Sequence, residues 1–357
     1  MALPKIGISV GDINGIGLEV MIRTLADQKV LSFCTPIIYG STKVISYHKN
    51  LVPGTRFTFQ SIGTPAEAQS GKVNVVQCWV EDVNIQLGSS TAEGGKFAYL
   101  SLEAAVNDLK AGQIDGLVTA PIHKHAMELA NFTDIGHTEY LGRRFEGSEP
   151  LMIMVSDTLR VGLVTGHVPV ANVASLLDKD RILGKIRAMN ASLKVDFGID
   201  RPVIAVLGLN PHAGDEGLIG REDDEIIRPA IIEAKKSGIL AVGPMPADGF
   251  FGSRAYQKVD GILAMYHDQG LIPFKALSFG SGVNYTAGLP VVRTSPDHGV
   301  ALDIAGKRIA DAGSFRHALF LCLDVIRQRA TYAEDHANPL VKSKGKLRYR
   351  DDDKEED

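Results

Sequence analysis

Apolar and polar positions follow two rhythms along this chain. Short apolar runs are succeeded by longer stretches in which apolar residues recur every three or four positions, the pattern of buried strands followed by amphipathic helices. Residues 5–10 (Lys-Ile-Gly-Ile-Ser-Val) read as a first strand, and Leu18 to about Gln28 reads as a helix entered through a glycine-rich turn. Leu102, Val106 and Leu109 mark a helix over 100–109 that runs into a strand from Ile114, ended by Pro121. Apolar runs at 151–155 and 160–165, separated by Ser156, Asp157 and Thr158, predict a hairpin and therefore a mixed sheet. A helix from Asp178 to Leu193, a strand over 203–209, a helix from Asp223 to Lys236, a strand from Gly261 to Tyr266 and a last helix from Ser314 to Arg329 complete a βαβ rhythm without internal repeats. The fold class expected is α/β with a mixed sheet.

Composition narrows this picture. The chain has 357 residues, enough for two domains or one large α/β unit, with 45% hydrophobic and 22% charged residues as in ordinary globular proteins. A net charge of -4 and no Lys/Arg stripe argue against nucleic acid as a partner. The longest apolar runs, such as 203–207, are far too short to cross a bilayer, so no membrane association is expected. The first ten residues read as a strand and not as a signal peptide. Three widely spaced cysteines (Cys34, Cys78, Cys322) offer neither a disulfide framework nor a metal clip, which fits a cytoplasmic protein. Residues 341–357 read as a charged, flexible tail.

Candidate chemistry changes the picture most. Gly11, Gly15 and Gly17 match neither the dinucleotide fingerprint nor the P-loop, and read equally as a tight strand-to-helix turn. His167, His212 and His267 each lie just past the C-terminal end of an apolar strand, the edge of an α/β sheet where ligands bind. Neutral imidazole is the commonest protein metal ligand, and three of them leave coordination positions open for a substrate. The spacing permits such a site; taken singly, each histidine reads as an ordinary loop residue. Lys275, Asn284 and Arg293 fall in one glycine-rich stretch and are suited to a phosphate or carboxylate. Further polar clusters include His137-Thr138-Glu139, Asp248 and Asp268, whereas His123-Lys124-His125 and Asp297-His298-Gly299 read as structural.

Seven ordered motifs then carry a resemblance: Gly11-Asp12 with Gly15-Ile16-Gly17, 119–122 (Thr-Ala-Pro-Ile), 136–139 (Gly-His-Thr-Glu), 210–215 (Asn-Pro-His-Ala-Gly-Asp), Gly243-Pro244 with Pro246-Ala247-Asp248, 266–270 (Tyr-His-Asp-Gln-Gly) and 293–299. Together they resemble the 4-hydroxythreonine-4-phosphate dehydrogenase family of vitamin B6 synthesis, in order from about residue 5 to 320. The resemblance implies a two-subdomain α/β/α sandwich related to isocitrate and isopropylmalate dehydrogenases, with residues 1–135 plus 310–340 in one part and 136–309 in the other. It implies NAD as cofactor, a divalent metal (zinc, magnesium or cobalt) on His167, His212 and His267, and substrate contacts from His137, Thr138, Lys275, Asn284 and Arg293. Asp248 and Asp268 are the candidates for proton transfer or for orienting ligands. It also implies a homodimer with active sites at the subunit interface, and a phosphorylated small molecule as substrate. The expected reaction is oxidation of 4-phosphooxy-L-threonine at C3 followed by loss of carbon dioxide. Two alternatives stand beside it: oxidation of threonate or erythronate 4-phosphate, and a metal hydrolase on the same histidines. Departures from the usual family pattern are Ile13, Asn14 and Leu18 in the first turn and His123 where asparagine is usual.

Overall fold

The computed structural model describes residues 3–130, 132, 134, 136–146, 150–278 and 280–338, so the charged tail lies outside the described residues. Among them, twelve strands build one sheet: β1 (Lys5–Ser9), β2 (Thr35–Gly40), β3 (Phe59–Ile62), β4 (Val73–Gln77), β5 (Gly116–Thr119), β6 (Leu151–Val155), β7 (Arg160–Leu163), β8 (Val203–Leu207), β9 (Leu240–Met245), β10 (Gly261–Ala264), β11 (Val283–Ala287) and β12 (Arg293–Pro296). Their order is β3-β4-β2-β1-β5-β12-β11-β6-β7-β10-β8-β9. The sheet is mixed, as the hairpin pattern required: β6 runs antiparallel to β7 and β11, and β11 to β12, while the other pairings are parallel. The helices are α1 (Gly17–Leu25), α2 (Thr42–Leu51), α3 (Ala92–Lys110), α4 (Lys124–Leu129), α5 (His137–Arg144), α6 (Lys179–Val195), α7 (Arg228–Lys236), α8 (Ala247–Gly252), α9 (His267–Ser278) and α10 (Gly313–His336).

The period-2 alternation of the strands sorts side chains onto two faces. Ile6 and Ile8, Val118, Ile153, Tyr285, Ile204 and Leu263 point one way and share a single apolar cluster with residues of α1, α6, α7 and α10. Their neighbours point the other way, and there the apolar packing divides. Leu117 and Tyr39 pack under α3, α4 and α5 in one cluster, while Met154, Val161, Leu207 and Ala264 pack under α8 and α9 in another. Helices thus cover both faces, a three-layer α/β architecture, with a gap over the middle strands on one side.

The glycine-rich turn after β1 is a packing device. Gly11 has φ +66, and a Cβ there would stand 2.3 Å from the Pro121 carbonyl oxygen; one at Gly15 would stand 2.2 Å from Val300. Only glycine meets both demands. The turn is held from behind by the buried His48, whose Nε2 donates to the Ile13 carbonyl at 2.9 Å. Burial holds that imidazole down at a pKa of about 4, so it is neutral. Where sequence expects one helix from Asp223 to Lys236, a π-helical turn (Asp223–Ile227) precedes α7. Irregular turns of this kind frequently sit at functional sites.

Candidate active site

The gap between the two apolar clusters is floored by the middle of the sheet. At positions where strands would place apolar residues, β5, β12 and β11 present Thr119, Arg293, Ser295, Asn284 and Thr286, and β6 adds the apolar Met152 and Met154. Asn284 stands opposite Ser295 on one side and Met154 on the other. Above this floor lies a cavity of about 260 Å³, walled by the first turn of α5, the start of α4, the end of β7 and α9.

Arg293 dominates the floor. It is 1% exposed, and its guanidinium donates to Thr119 Oγ1 from Nε at 3.1 Å and from Nη2 at 2.6 Å, and to Thr286 Oγ1 from Nη1 at 3.1 Å. No carboxylate among the described residues lies within ion-pair distance of it. Burial therefore pulls its pKa well below the ordinary guanidinium value, to about 9, with only Glu139 acting in the opposite direction. A buried cation without a counter-charge is costly in a folded protein, and an anionic ligand is the partner that removes the cost. His137 stands beside it in the same cavity wall. Its Nε2 is buried without a hydrogen-bond partner, and burial together with the Arg293 charge holds the ring well below its ordinary pKa, hence neutral. Asn284 Oδ1 is likewise buried and without a partner. Buried polar atoms in native proteins are nearly always satisfied, so unsatisfied ones grouped in one cavity mark a place for ligand atoms.

The histidine loops lie at the C-terminal edge of β7, β10 and β8, which are neighbours in that order. The Thr165 backbone N–H and Oγ1 both reach the Met265 carbonyl, at 3.1 and 2.7 Å, which locks the loop after β7 to the loop after β10. The His167 and His267 rings consequently meet, with centroids 5.5 Å apart. Asp268 Oδ1 is 2.8 Å from His267 Nδ1, which orients that ring and leaves Nε2 free. Glu139 Oε1 lies 4.0 Å from His167 Nδ1, and burial lowers the His167 pKa, favouring the neutral, ligating form. Gln269 completes the edge, accepting from the Met265 N–H and donating to the Gly208 carbonyl.

His212 is placed differently. It sits in the loop after β8, which the buried Asp223 carboxylate fixes by accepting from the Leu209 and Asn210 N–H groups at 2.8 and 3.1 Å. His212, Ala213, Asp215 and Glu216 all hold positive φ between 44° and 56°, a cluster of strained non-glycine residues of the kind found at functional sites. The loop presents His212 to solvent, outside the cavity. Among the described residues no three His, Cys, Asp or Glu side chains stand together as a metal site within the single chain.

Of the residues singled out from sequence, His137, Thr138, His167, His267, Lys275, Asn284 and Arg293 line one cavity. Asp268 adjoins it through His267, while His212 and the exposed Asp248, in the first turn of α8, stand outside. Residues read as structural also line it, namely Lys124 and Asp297 with His298, whose Nε2 is buried and unpartnered, as does Glu139 of the 136–139 polar cluster. Lys124 and His298 flank the strand ends of β5 and β12, whose pairing is not apparent in the sequence; that adjacency is what brings them in.

A three-layer α/β enzyme with a small cation-lined cavity beside paired imidazoles is what this fold and site define. Comparison with known proteins makes it specific. The family described as pyridoxal phosphate biosynthetic protein PdxA matches residues 32–322, and this chain belongs to that family. A 4-hydroxythreonine-4-phosphate dehydrogenase of Bacteroides thetaiotaomicron is 49% identical over 95% of this chain and 93% of its own. The crystal structure of the Klebsiella pneumoniae 4-hydroxythreonine-4-phosphate dehydrogenase superposes with a TM-score of 0.79 at 32% identity, covering 91% of this chain and 98% of that one. A Symbiobacterium thermophilum relative, 36% identical over 88% of this chain and 95% of its own, provisionally bears the name D-threonate 4-phosphate dehydrogenase. The chain is an oxidoreductase; the hydrolase alternative is set aside by this membership.

Proposed function

We propose that this enzyme oxidises 4-phosphooxy-L-threonine at C3 with NAD and decarboxylates the product to 3-amino-2-oxopropyl phosphate, in pyridoxine 5'-phosphate synthesis. The observation that carries the reading is the buried Arg293 guanidinium, without a carboxylate partner, in one small cavity with His167 and His267. The cavity has room for a small phosphorylated acid and not for a dinucleotide, so the nicotinamide approaches from the open side. Arg293, Asn284 and Lys275 hold the phosphate, and His137 and Thr138 orient the carbon chain. Oxidation removes hydride from C3 to the cofactor and a proton from its hydroxyl. The resulting 3-keto acid releases the C1 carboxyl group as carbon dioxide, and C2 takes a proton to give the amino ketone phosphate.

A divalent metal (zinc, magnesium or cobalt) fits the donor chemistry of His167 and His267: neutral imidazoles, one oriented by Asp268. Bound there, such an ion supplies Lewis acidity that lowers the pKa of the C3 hydroxyl and stabilises enolate charge. One chain brings only two of the three expected histidines together, and the exposed His212 supports a homodimer in which a second copy completes the set. Asp248, exposed and remote from the floor, joins the site only in such an assembly.

The test is NADH formation and carbon dioxide release from 4-phosphooxy-L-threonine by metal-loaded protein. No turnover with either nicotinamide cofactor contradicts the reading. The relative named for D-threonate 4-phosphate favours running that hydroxy acid alongside: faster turnover of it would move the substrate and keep the chemistry.

A further inference from the structure

The C1 carboxylate of the proposed substrate has no cation assigned beside it. The phosphate ester carries up to about two negative charges near neutral pH, the C1 carboxylate one more, and the C2 ammonium offsets one of the three without lying opposite either group. Arg293 and Lys275 balance the phosphate; the carboxylate is left without a cation. We propose that Lys124 is a substrate-binding residue that holds the C1 carboxylate, the group lost as carbon dioxide.

Several observations carry this. Lys124 opens α4 directly after the Pro121 bend that ends β5, and it lines the cavity from the wall above Thr119, on whose hydroxyl Arg293 rests. Its flanks are pinned: His123 Nδ1 lies 3.0 Å from Ser90 Oγ and accepts from the Ala126 N–H at 3.3 Å. Lys124 is exposed at the cavity mouth, and no ion pair engages it among the described residues. The charges in the cavity are also ordered. Lys124 and His167 are both exposed at the mouth of the cavity, whereas Arg293 is buried in its floor, so Lys124 stands on the histidine side. A four-carbon chain whose C4 phosphate rests on Arg293 and whose C3 faces the histidines carries its C1 carboxylate onward to Lys124.

This inference rests on the proposed substrate, and the test separates the two. Dissociation constants are measured by calorimetry for 4-phosphooxy-L-threonine and for 3-amino-2-hydroxypropyl phosphate, which lacks only the carboxyl group, on wild type and on Lys124→Met and Lys124→Arg. Wild type should prefer the carboxylate-bearing compound by roughly tenfold or more, Lys124→Met by less than about threefold, and Lys124→Arg should recover most of the preference. A purely structural defect would weaken both ligands alike and leave their ratio unchanged. Lys124→Met retaining the wild-type preference, or discriminating less against dephosphorylated 4-hydroxythreonine instead, overturns the assignment of the carboxylate. Wild type binding neither phosphorylated compound overturns the substrate itself, and this inference with it.

Discussion

On one face of the sheet, Val118, Ile153, Tyr285 and Leu263 join α1, α6 and α10 in an unbroken apolar layer. On the other, the same middle strands present Thr119, Met152, Asn284, Thr286 and Arg293, and the apolar packing separates into two clusters. The strands are common to both faces and the alternation is the same. The difference is that one face spends its buried positions on dispersion and apolar burial, each large side chain contributing about 1.5–3 kcal/mol, while the other spends them on polar groups whose partners are not all within the chain. The first face gives the fold its stability, and the second gives some of it up for polar groups that, in the proposed function, hold an anion.

The comparison is sharpened first by changes on the site face that should remove activity and leave the fold intact. His212→Ala and His267→Ala should each lose bound metal and turnover while unfolding at the midpoint of metal-stripped wild type, as measured by metal content and thermal melts. Mixing the two inactive variants through an unfold–refold cycle should restore activity if the proposed dimer forms, since a hybrid would then contain one complete histidine set. Absence of restoration would place all three histidines in one chain.

The opposite outcome is expected on the apolar face. Phe315, fully buried in α10, should cost about 3–5 kcal/mol of unfolding free energy when changed to Ala, with kcat per folded molecule unchanged. Denaturant titration and an activity assay on the same preparation check both halves.

A smaller effect is predicted for His48 under the glycine turn. Its folded pKa of about 4 lies below the ordinary 6.5, so the unfolded chain takes up the proton first as pH falls. Stability should be unaffected above pH 6.5, decline between there and about 4 by roughly 3 kcal/mol, and change no further through this group. His48→Asn should flatten that part of the curve; an unchanged acid slope would show that His48 is not responsible.

The apolar face was the more legible in sequence. Buried strands such as Ile204 to Leu207, and the hairpin of β6 and β7, announce themselves by continuous apolar runs, and the histidines after β7, β8 and β10 stand out because each follows one. The site floor was hidden for the converse reason. β12 reads Arg-Thr-Ser-Pro, which no hydrophobicity pattern marks as a strand, yet all four residues are buried between β5 and β11. Lys124 and Glu139 look like ordinary surface charges until tertiary structure places α4 and α5 on the cavity rim. His212 was legible as a ligand type, but its direction depends on four left-handed residues and the Asp223 anchor, none of which periodicity reveals.

In the proposed function, Arg293 is a buried charge kept for an anion at the expense of stability. Burial depresses its pKa to about 9, so holding the charged guanidinium costs several kcal/mol, which its three hydrogen bonds offset in part. The direct measurement is the unfolding free energy of wild type and Arg293→Met near pH 7.5, each with and without 4-phosphooxy-L-threonine. Without ligand the variant should equal wild type or exceed it by up to about 2 kcal/mol. With ligand at about a hundred times the wild-type dissociation constant, wild type should gain about 2.7 kcal/mol and the variant almost nothing. A variant that is markedly less stable without ligand, or that gains as much from the ligand as wild type does, would contradict the account.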